Sequence, residues 1–267
     1  MLEPFLKWAG GKRWLVQHYA GFLPRRFNRY IEPFLGSGAV FFYLLPHRAT
    51  LADSNVELVD TYRVLKETPQ KIHNRLKLFQ ERHCPDFYYR IRTSIPNNPI
   101  ERAVRFIYLN RTCFNGLYRV NRHGIFNVPM GSKTVIEFPD GYFEGVSAAL
   151  RHAVLRVSDF EAIIDQAKTG DFLYVDPPYT VMHNNNNFIK YNANLFSWDD
   201  QIRLASAIKR AANRGALIML SNADSRSVRM LYRHFGNHYH LERSSMLASN
   251  SEFRGKTTEL LITNYNP

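Results

Sequence analysis

Tyr30-Ile31-Glu32-Pro33-Phe34 runs into Leu35-Gly36-Ser37-Gly38 and the apolar start Ala39-Val40-Phe41-Phe42; Ala49-Thr50-Leu51-Ala52-Asp53 follows. The first run predicts a strand, Gly36-Ser37-Gly38 a glycine turn, Ala39 onward a helix, and Ala49–Ala52 a second strand ending at an acid. That order is the opening unit of an α/β sheet that binds a nucleoside at its strand ends. Glycine lets backbone approach a ligand, and an acid after the second strand can accept hydrogen bonds from ribose hydroxyls. Asp53 follows Gly36 by 17 positions. The third glycine of the dinucleotide fingerprint is missing, with Phe41 in its place. This argues against a pyrophosphate cofactor and fits a nucleoside without phosphates, such as S-adenosylmethionine. Read alone, the same turn would also serve simple helix–strand packing.

Outward from this unit, Val56, Leu58, Val59, Tyr62, Leu65, Ile72, Leu76 and Phe79 fall near helical spacing, interrupted at Pro69 and ended by Cys84-Pro85-Asp86. A further helix is predicted over Glu101–Leu109. No strand pattern breaks this middle stretch, which reads as a helical subdomain inserted into the sheet. Strands resume at Ala153–Val157 and Phe172–Val175, then a helix over Asp199–Asn213 and a strand Ala216–Leu220 ending in Ser221-Asn222. The last expected element is a hairpin with arms near Tyr239–Glu242 and Glu259–Ile262.

Asp176-Pro177-Pro178-Tyr179 closes the apolar strand Phe172–Val175 and carries the strongest chemical signal. The exocyclic amine of adenine is a poor nucleophile because its lone pair is delocalised into the ring. A carboxylate and a backbone carbonyl, each accepting one N–H, let that nitrogen pyramidalise toward a methyl donor. Two consecutive prolines stiffen the chain and donate nothing, which frees carbonyls to face a site. Tyr179 offers a ring on which an extruded base can stack. A proline turn closing a strand would have the same local sequence, so the loop gains its meaning from its companions.

Lys7-Trp8-Ala9-Gly10-Gly11-Lys12 is not a phosphate-binding loop, because Leu6 and Arg13 stand where glycine and Ser/Thr are required. Lys12 could instead meet the carboxylate of an amino-acid moiety, with Trp8 packed beside it. Between Glu101 and Lys133 lie six basic residues and one acid, interleaved with aromatics. Guanidinium forks read guanine edges and phosphates, and aromatic rings wedge between base pairs. Phe106 and Tyr108 read as core; Phe114, Asn115 and Arg119, around Gly116 in a non-periodic stretch, read as DNA contacts.

A formal net charge of +12 over 267 residues fits a protein that neutralises phosphates. Two cysteines exclude a disulfide framework and a four-thiolate zinc site. Neither lies in a Pro-Cys pair, so no cytosine-C5 nucleophile and no covalent intermediate are indicated. His234 and His238 lack the acid of H-E-x-x-H, and no metal site is expected. No apolar run reaches the ~18 residues of a membrane span, and the N-terminus lacks the pattern of a secretory signal. A cytoplasmic location follows as the expectation.

In order, F-L-K-W-A-G-G-K, E-P-F-L-G-S-G, A-D-S-N, L-N-R-T-C-F-N-G-L-Y-R-V-N-R-H-G-I-F-N-V-P-M-G, D-P-P-Y and S-N-A-D resemble the DNA adenine-N6 methyltransferases of the Dam family over nearly the whole chain. The resemblance implies a Rossmann-like methyltransferase sheet, residues 1–55 and 146–267, with an inserted, mostly helical target-recognition subdomain and hairpin at 56–145. It implies transfer of a methyl group from S-adenosylmethionine to N6 of a flipped-out adenine in double-stranded DNA, within GATC. Trp8, Lys12, Phe34, Gly36, Asp53 and Asp176 match cofactor positions of the family. Asp176, Pro177, Pro178 and Tyr179 match its catalytic loop. Lys7, Phe114, Asn115, Leu117, Arg119 and Pro129 match positions that touch target bases, and Arg254 and Lys256 lie in a segment that meets the DNA backbone. The family further implies a monomer, no metal and no membrane, in a bacterial or phage setting on the nucleoid. Three stretches depart from the pattern: Cys113 stands before Phe114 where an aromatic pair is common, residues 132–145 match poorly, and the run Asn184–Asn187 is unusual. An RNA or cytosine-N4 methylase would share the D-P-P-Y chemistry and is separated only by the recognition hairpin. A binding protein that had lost catalysis would show changes at Asp176 or Asp53, and both acids are present.

Overall fold

After a short helix α1 (Arg13–His18), the predicted opening unit is present as β1 (Tyr30–Glu32), α2 (Ala39–Leu44) and β2 (Ala49–Asp53). The computed structural model describes residues 2–121, 123–133, 135–180, 196–244 and 256–267, with backbone only at 243, 244, 256 and 257. Two units are formed, one from Met1–Arg13, Leu35–His47 and Asp53–Val157, the other from Trp14–Phe34, Arg48–Ala52 and Ser158–Pro267.

The helices of the first unit are α3 (Val56–Glu67), α4 (Pro69–Glu81), α5 (Pro85–Thr93), α6 (Pro99–Thr112) and α7 (Tyr142–Leu150). Pro69 does interrupt the helical pattern, because it occupies the first turn of α4, where its missing N–H costs nothing. Pro85 corrects the sequence reading. The preceding helix does end before it, at Glu81, but Pro85 also starts α5, and the Cys84 thiol caps that helix by accepting the Phe87 N–H. Asn55 and Asn98 cap α3 and α6 through their side-chain oxygens. Helix α6 buries Val104, Phe106, Ile107, Tyr108 and Leu109, as expected for core residues. Arg75 of α4 meets Glu101 of α6 with two hydrogen bonds, at 2.6 and 2.8 Å. Strand β3 (Ala153–Val157) also belongs to this unit; Arg63 and Lys66 of α3 donate to its carbonyls at Leu155 and Ala153.

The second unit carries the sheet. Its strands run in the order β2-β1-β4-β5-β7-β6, with β4 at Phe172–Val175, β5 at Leu217–Ala223, β6 at Asn237–Ser244 and β7 at Lys256–Thr263. Strands β2, β1, β4 and β5 are parallel, whereas β7 pairs antiparallel with both β5 and β6. The predicted strand Ala216–Leu220 is longer than expected, for Ser221 and Asn222 remain inside β5 and pair with β7. Alternation divides the sheet faces. Ile31, Leu173, Val175, Ile218, Leu220, Leu260 and Ile262 face an apolar layer made by α8 (Phe160–Ile164), α9 (Trp198–Asn213) and α10 (Arg226–Tyr232). Period two then puts Tyr30, Glu32, Tyr174, Ser221 and Glu259 on the opposite face. All five are buried.

Candidate functional site

In the first unit, Asp53 ends β2 and turns back on the glycine loop. Its Oδ2 accepts the Gly36 N–H at 3.1 Å and its Oδ1 the Asn55 N–H at 3.0 Å. Loss of solvent raises the Asp53 pKa above the ordinary carboxylate value, and the N–H groups of Asn55, Gly36 and Ser54 oppose that shift. Gly36 has φ +47°, and a Cβ there would sit 2.6 Å from Trp8 Cδ1. Glycine is therefore required twice at this position, for the left-handed backbone and for the indole seated on it. Gly36→Ala is expected to lower the unfolding free energy by about 1–2 kcal/mol from the backbone alone, measured by denaturant titration, with further loss as Trp8 is displaced. Unchanged stability would show that the loop relaxes freely. Trp8 also stacks on Tyr118, with centroids 5.6 Å apart and planes at 19°. Lys12 is buried, its ammonium donating to the Gly10 carbonyl at 2.9 Å.

The adjoining residue, Lys7, belongs to the recognition stretch. Asn110 clamps its backbone from both sides, accepting the Lys7 N–H at 2.9 Å and donating to the Lys7 carbonyl at 2.7 Å. A Cβ on Gly116 would collide with the Lys7 side chain. Burial, then the cations Lys133 and Arg111, lower the Lys7 pKa. From Cys113 to Met130 the chain forms a hairpin closed by bridges Cys113–Met130 and Val120–Phe126. Asn115 is exposed with φ +54°, and Phe114 beside it is 49% exposed. A large aromatic ring held out in water beside a positive-φ residue has no role in the core. Leu117 is partly buried, Pro129 exposed, and the Pro129 carbonyl accepts the Phe114 N–H. Arg119 is exposed, and its Nε donates to Asn127 Oδ1 at 2.9 Å, which orients the guanidinium fork.

In the second unit, Asp176, Pro177, Pro178 and Tyr179 leave the C-terminal end of β4. Asp176 and Tyr179 are partly buried, and Thr180 behind them donates to the Phe196 carbonyl at 2.5 Å. The Tyr179 hydroxyl lies 3.4 Å from Ser221 Oγ, and Ser221 donates to Glu259 Oε1 at 2.5 Å. On the other side of β4, Tyr30 donates to Glu32 Oε2 at 2.9 Å. Burial raises the Tyr179 pKa well above its usual value, helped by the negative charges of Asp176 and Glu259, so the phenol keeps its proton. Phe34 belongs to this unit and stacks on Phe160 at 5.4 Å and 24°. Lys256 opens β7 opposite Ser244, whereas Arg254 and the asparagine run lie outside the described residues. The buried acids Glu32 and Glu259 were not singled out by the sequence reading. A carboxylate on the inward phase of the apolar strand Thr258–Ile262 was the available signal.

The sheet is mostly parallel and β4 ends in the D-P-P-Y loop, a setting for group-transfer enzymes, and the comparisons identify the class. The chain belongs to the D12 class of N6 adenine-specific DNA methyltransferases, whose family model matches residues 8–246. It is 37% identical to the type II methyltransferase M1.LlaDCHI of Lactococcus lactis subsp. cremoris, over 99% of this chain and 96% of that protein. The DNA adenine methylases of Vibrio cholerae, serotype O1 strains, are 36% identical over 96% of this chain and 94% of theirs. That of Escherichia coli K12 is 33% identical over 98% and 95%. Among the described residues, no group of three or more His, Cys, Asp or Glu side chains could hold a metal ion, and no helix is long and apolar enough to cross a membrane.

Proposed function

We propose that this adenine-specific DNA methyltransferase moves a methyl group from S-adenosylmethionine to N6 of an adenine flipped out of duplex DNA, within GATC. The observation that carries the reading is the Asp176–Tyr179 loop at the carboxyl end of β4, where open α/β sheets bind their ligands. Asp53 fits a nucleoside cofactor. Its carboxylate is held by backbone N–H groups and keeps lone pairs for ribose hydroxyls. Trp8, Lys12, Phe34 and Gly36 complete the residues assigned to the cofactor. Bound, S-adenosylmethionine supplies an electrophilic methyl group on a sulfonium.

The Asp176 carboxylate and the Pro177 carbonyl each accept one N–H of the adenine amine, which directs its lone pair outward. Pro178 stiffens the loop, and the Tyr179 ring stacks on the base. With the cofactor bound, the amine nitrogen held in this way would take up the methyl group and give one of its protons to the Asp176 carboxylate or to solvent. Residues 56–145 serve target recognition, with Lys7, Phe114, Asn115, Leu117, Arg119 and Pro129 at the bases and Arg254 and Lys256 on the backbone.

Tritiated methyl transfer to unmethylated duplex, followed by nucleoside analysis, tests the reaction; label in any nucleoside other than N6-methyladenine rules it out. Duplexes with and without GATC test the site. The charge gives a separate expectation. Nonspecific duplex affinity should fall with salt, with a log–log slope of about −0.9 for each phosphate neutralised. A flat titration would detach the +12 charge from DNA binding.

A further inference from the structure

Ser221 sits on β5 and Glu259 on β7, both almost fully buried at 1% and 2% exposure. Antiparallel pairing of Ser221 with Leu261 and of Ala223 with Glu259 puts both side chains on the sheet face that bears Tyr174. A serine hydroxyl has one proton and two lone pairs. Here the proton is committed to Glu259 Oε1 at 2.5 Å. Ser221 Oγ can therefore only accept from the Tyr179 hydroxyl, 3.4 Å away. The Tyr179 hydroxyl also hydrogen-bonds Glu259 itself, so the buried carboxylate is the common acceptor for both hydroxyls.

We propose that Glu259 and Ser221 are positioning residues for the methyl transfer: they hold the Tyr179 hydroxyl, and through it the plane of the ring that receives the extruded adenine. Neither touches the base. The proposal rests on the reading of Tyr179 as the stacking ring. A loop of two prolines cannot anchor itself through N–H groups at those positions, so a hydroxyl tether to the sheet supplies a restraint the loop lacks there. Burial, the charges of Asp176 and Glu259 and the hydrogen bond to Glu259 raise the Tyr179 pKa, so the phenol stays a donor.

The test compares Tyr179→Phe, Ser221→Ala, Glu259→Leu and Glu259→Gln with the parent. Tyr179→Phe keeps the ring and loses only the hydroxyl. Tyr179→Phe and Glu259→Leu should lower kcat about tenfold, the rate equivalent of one hydrogen bond, with KM for duplex unchanged, and Ser221→Ala should lower it less because the direct bond to Glu259 remains. Ser221→Ala combined with Tyr179→Phe should lose no more than Tyr179→Phe alone, because that variant already removes the hydroxyl that Ser221 and Glu259 hold. Glu259→Gln retains an acceptor for Ser221 and should keep most of kcat. Multiplicative losses in the double variant, or equal losses from Glu259→Gln and Glu259→Leu, would overturn the tether. So would unchanged kcat in the Ser221 and Glu259 variants. The same double-variant cycle read on the unfolding midpoint requires no activity. Non-additive shifts support the hydroxyl chain and additive shifts refute it. A parent that forms no N6-methyladenine refutes the base reading, a different result from either.

Discussion

Asp176→Ala should lower turnover by at least ~10²-fold, the scale of losing one preorganised electrostatic group. The amine of adenine has little nucleophilicity of its own, and the carboxylate is the stronger of the two acceptors assigned to it. Without it the lone pair stays in the ring and the Pro177 carbonyl alone cannot draw it out. Duplex affinity should be preserved, because the residues assigned to phosphates and bases lie in other parts of the chain. Single-turnover methylation and a binding titration on the same duplex separate the two effects. Methylation within tenfold of the parent would remove Asp176 from the chemistry.

Arg119→Ala should act on reading rather than on chemistry. Asn127 holds Nε of the exposed guanidinium and so fixes its plane. A fork held this way can meet guanine O6 and N7 together, worth roughly 1–3 kcal/mol against a wrong base. The ratio of kcat/KM on GATC to that on duplexes changed at the guanine pair should therefore fall about tenfold or more. Lys256→Ala, assigned to backbone, should weaken all duplexes alike. Equal losses on every substrate from Arg119→Ala would make it a structural residue or a backbone clamp.

The opening unit was legible because glycine, apolar alternation and an acid coincide within Tyr30–Asp53, and β3 and β4 were bounded by apolar runs that match their observed ends. Helices α5 and α7 were missed for different reasons. Pro85 reads as punctuation in sequence, yet at the first turn of a helix it is favoured. Tyr142–Leu150 lies at the end of a stretch that fitted no motif, and its Gly141 start offers no side-chain cap. The candidate loops were legible because Asp176–Tyr179 is contiguous and Gly36 and Asp53 are close in sequence. The pairing of Ser221 with Glu259 was not. It depends on the register between β5 and an antiparallel β7, which the sequence does not mark.

Strand β7 comes last in chain order but lies inside the sheet, between β5 and β6. During synthesis β6 emerges first and has no neighbour to pair with, while β5 presents an open edge. Only when Lys256–Thr263 arrives do both strands gain a partner, and the same event delivers Glu259 to Ser221. If Ser221 and Glu259 tether Tyr179 as proposed, a nascent chain that has already made its D-P-P-Y loop would not yet hold the ring in place. Under the proposed tether, completion of the sheet and fixing of the ring are one step.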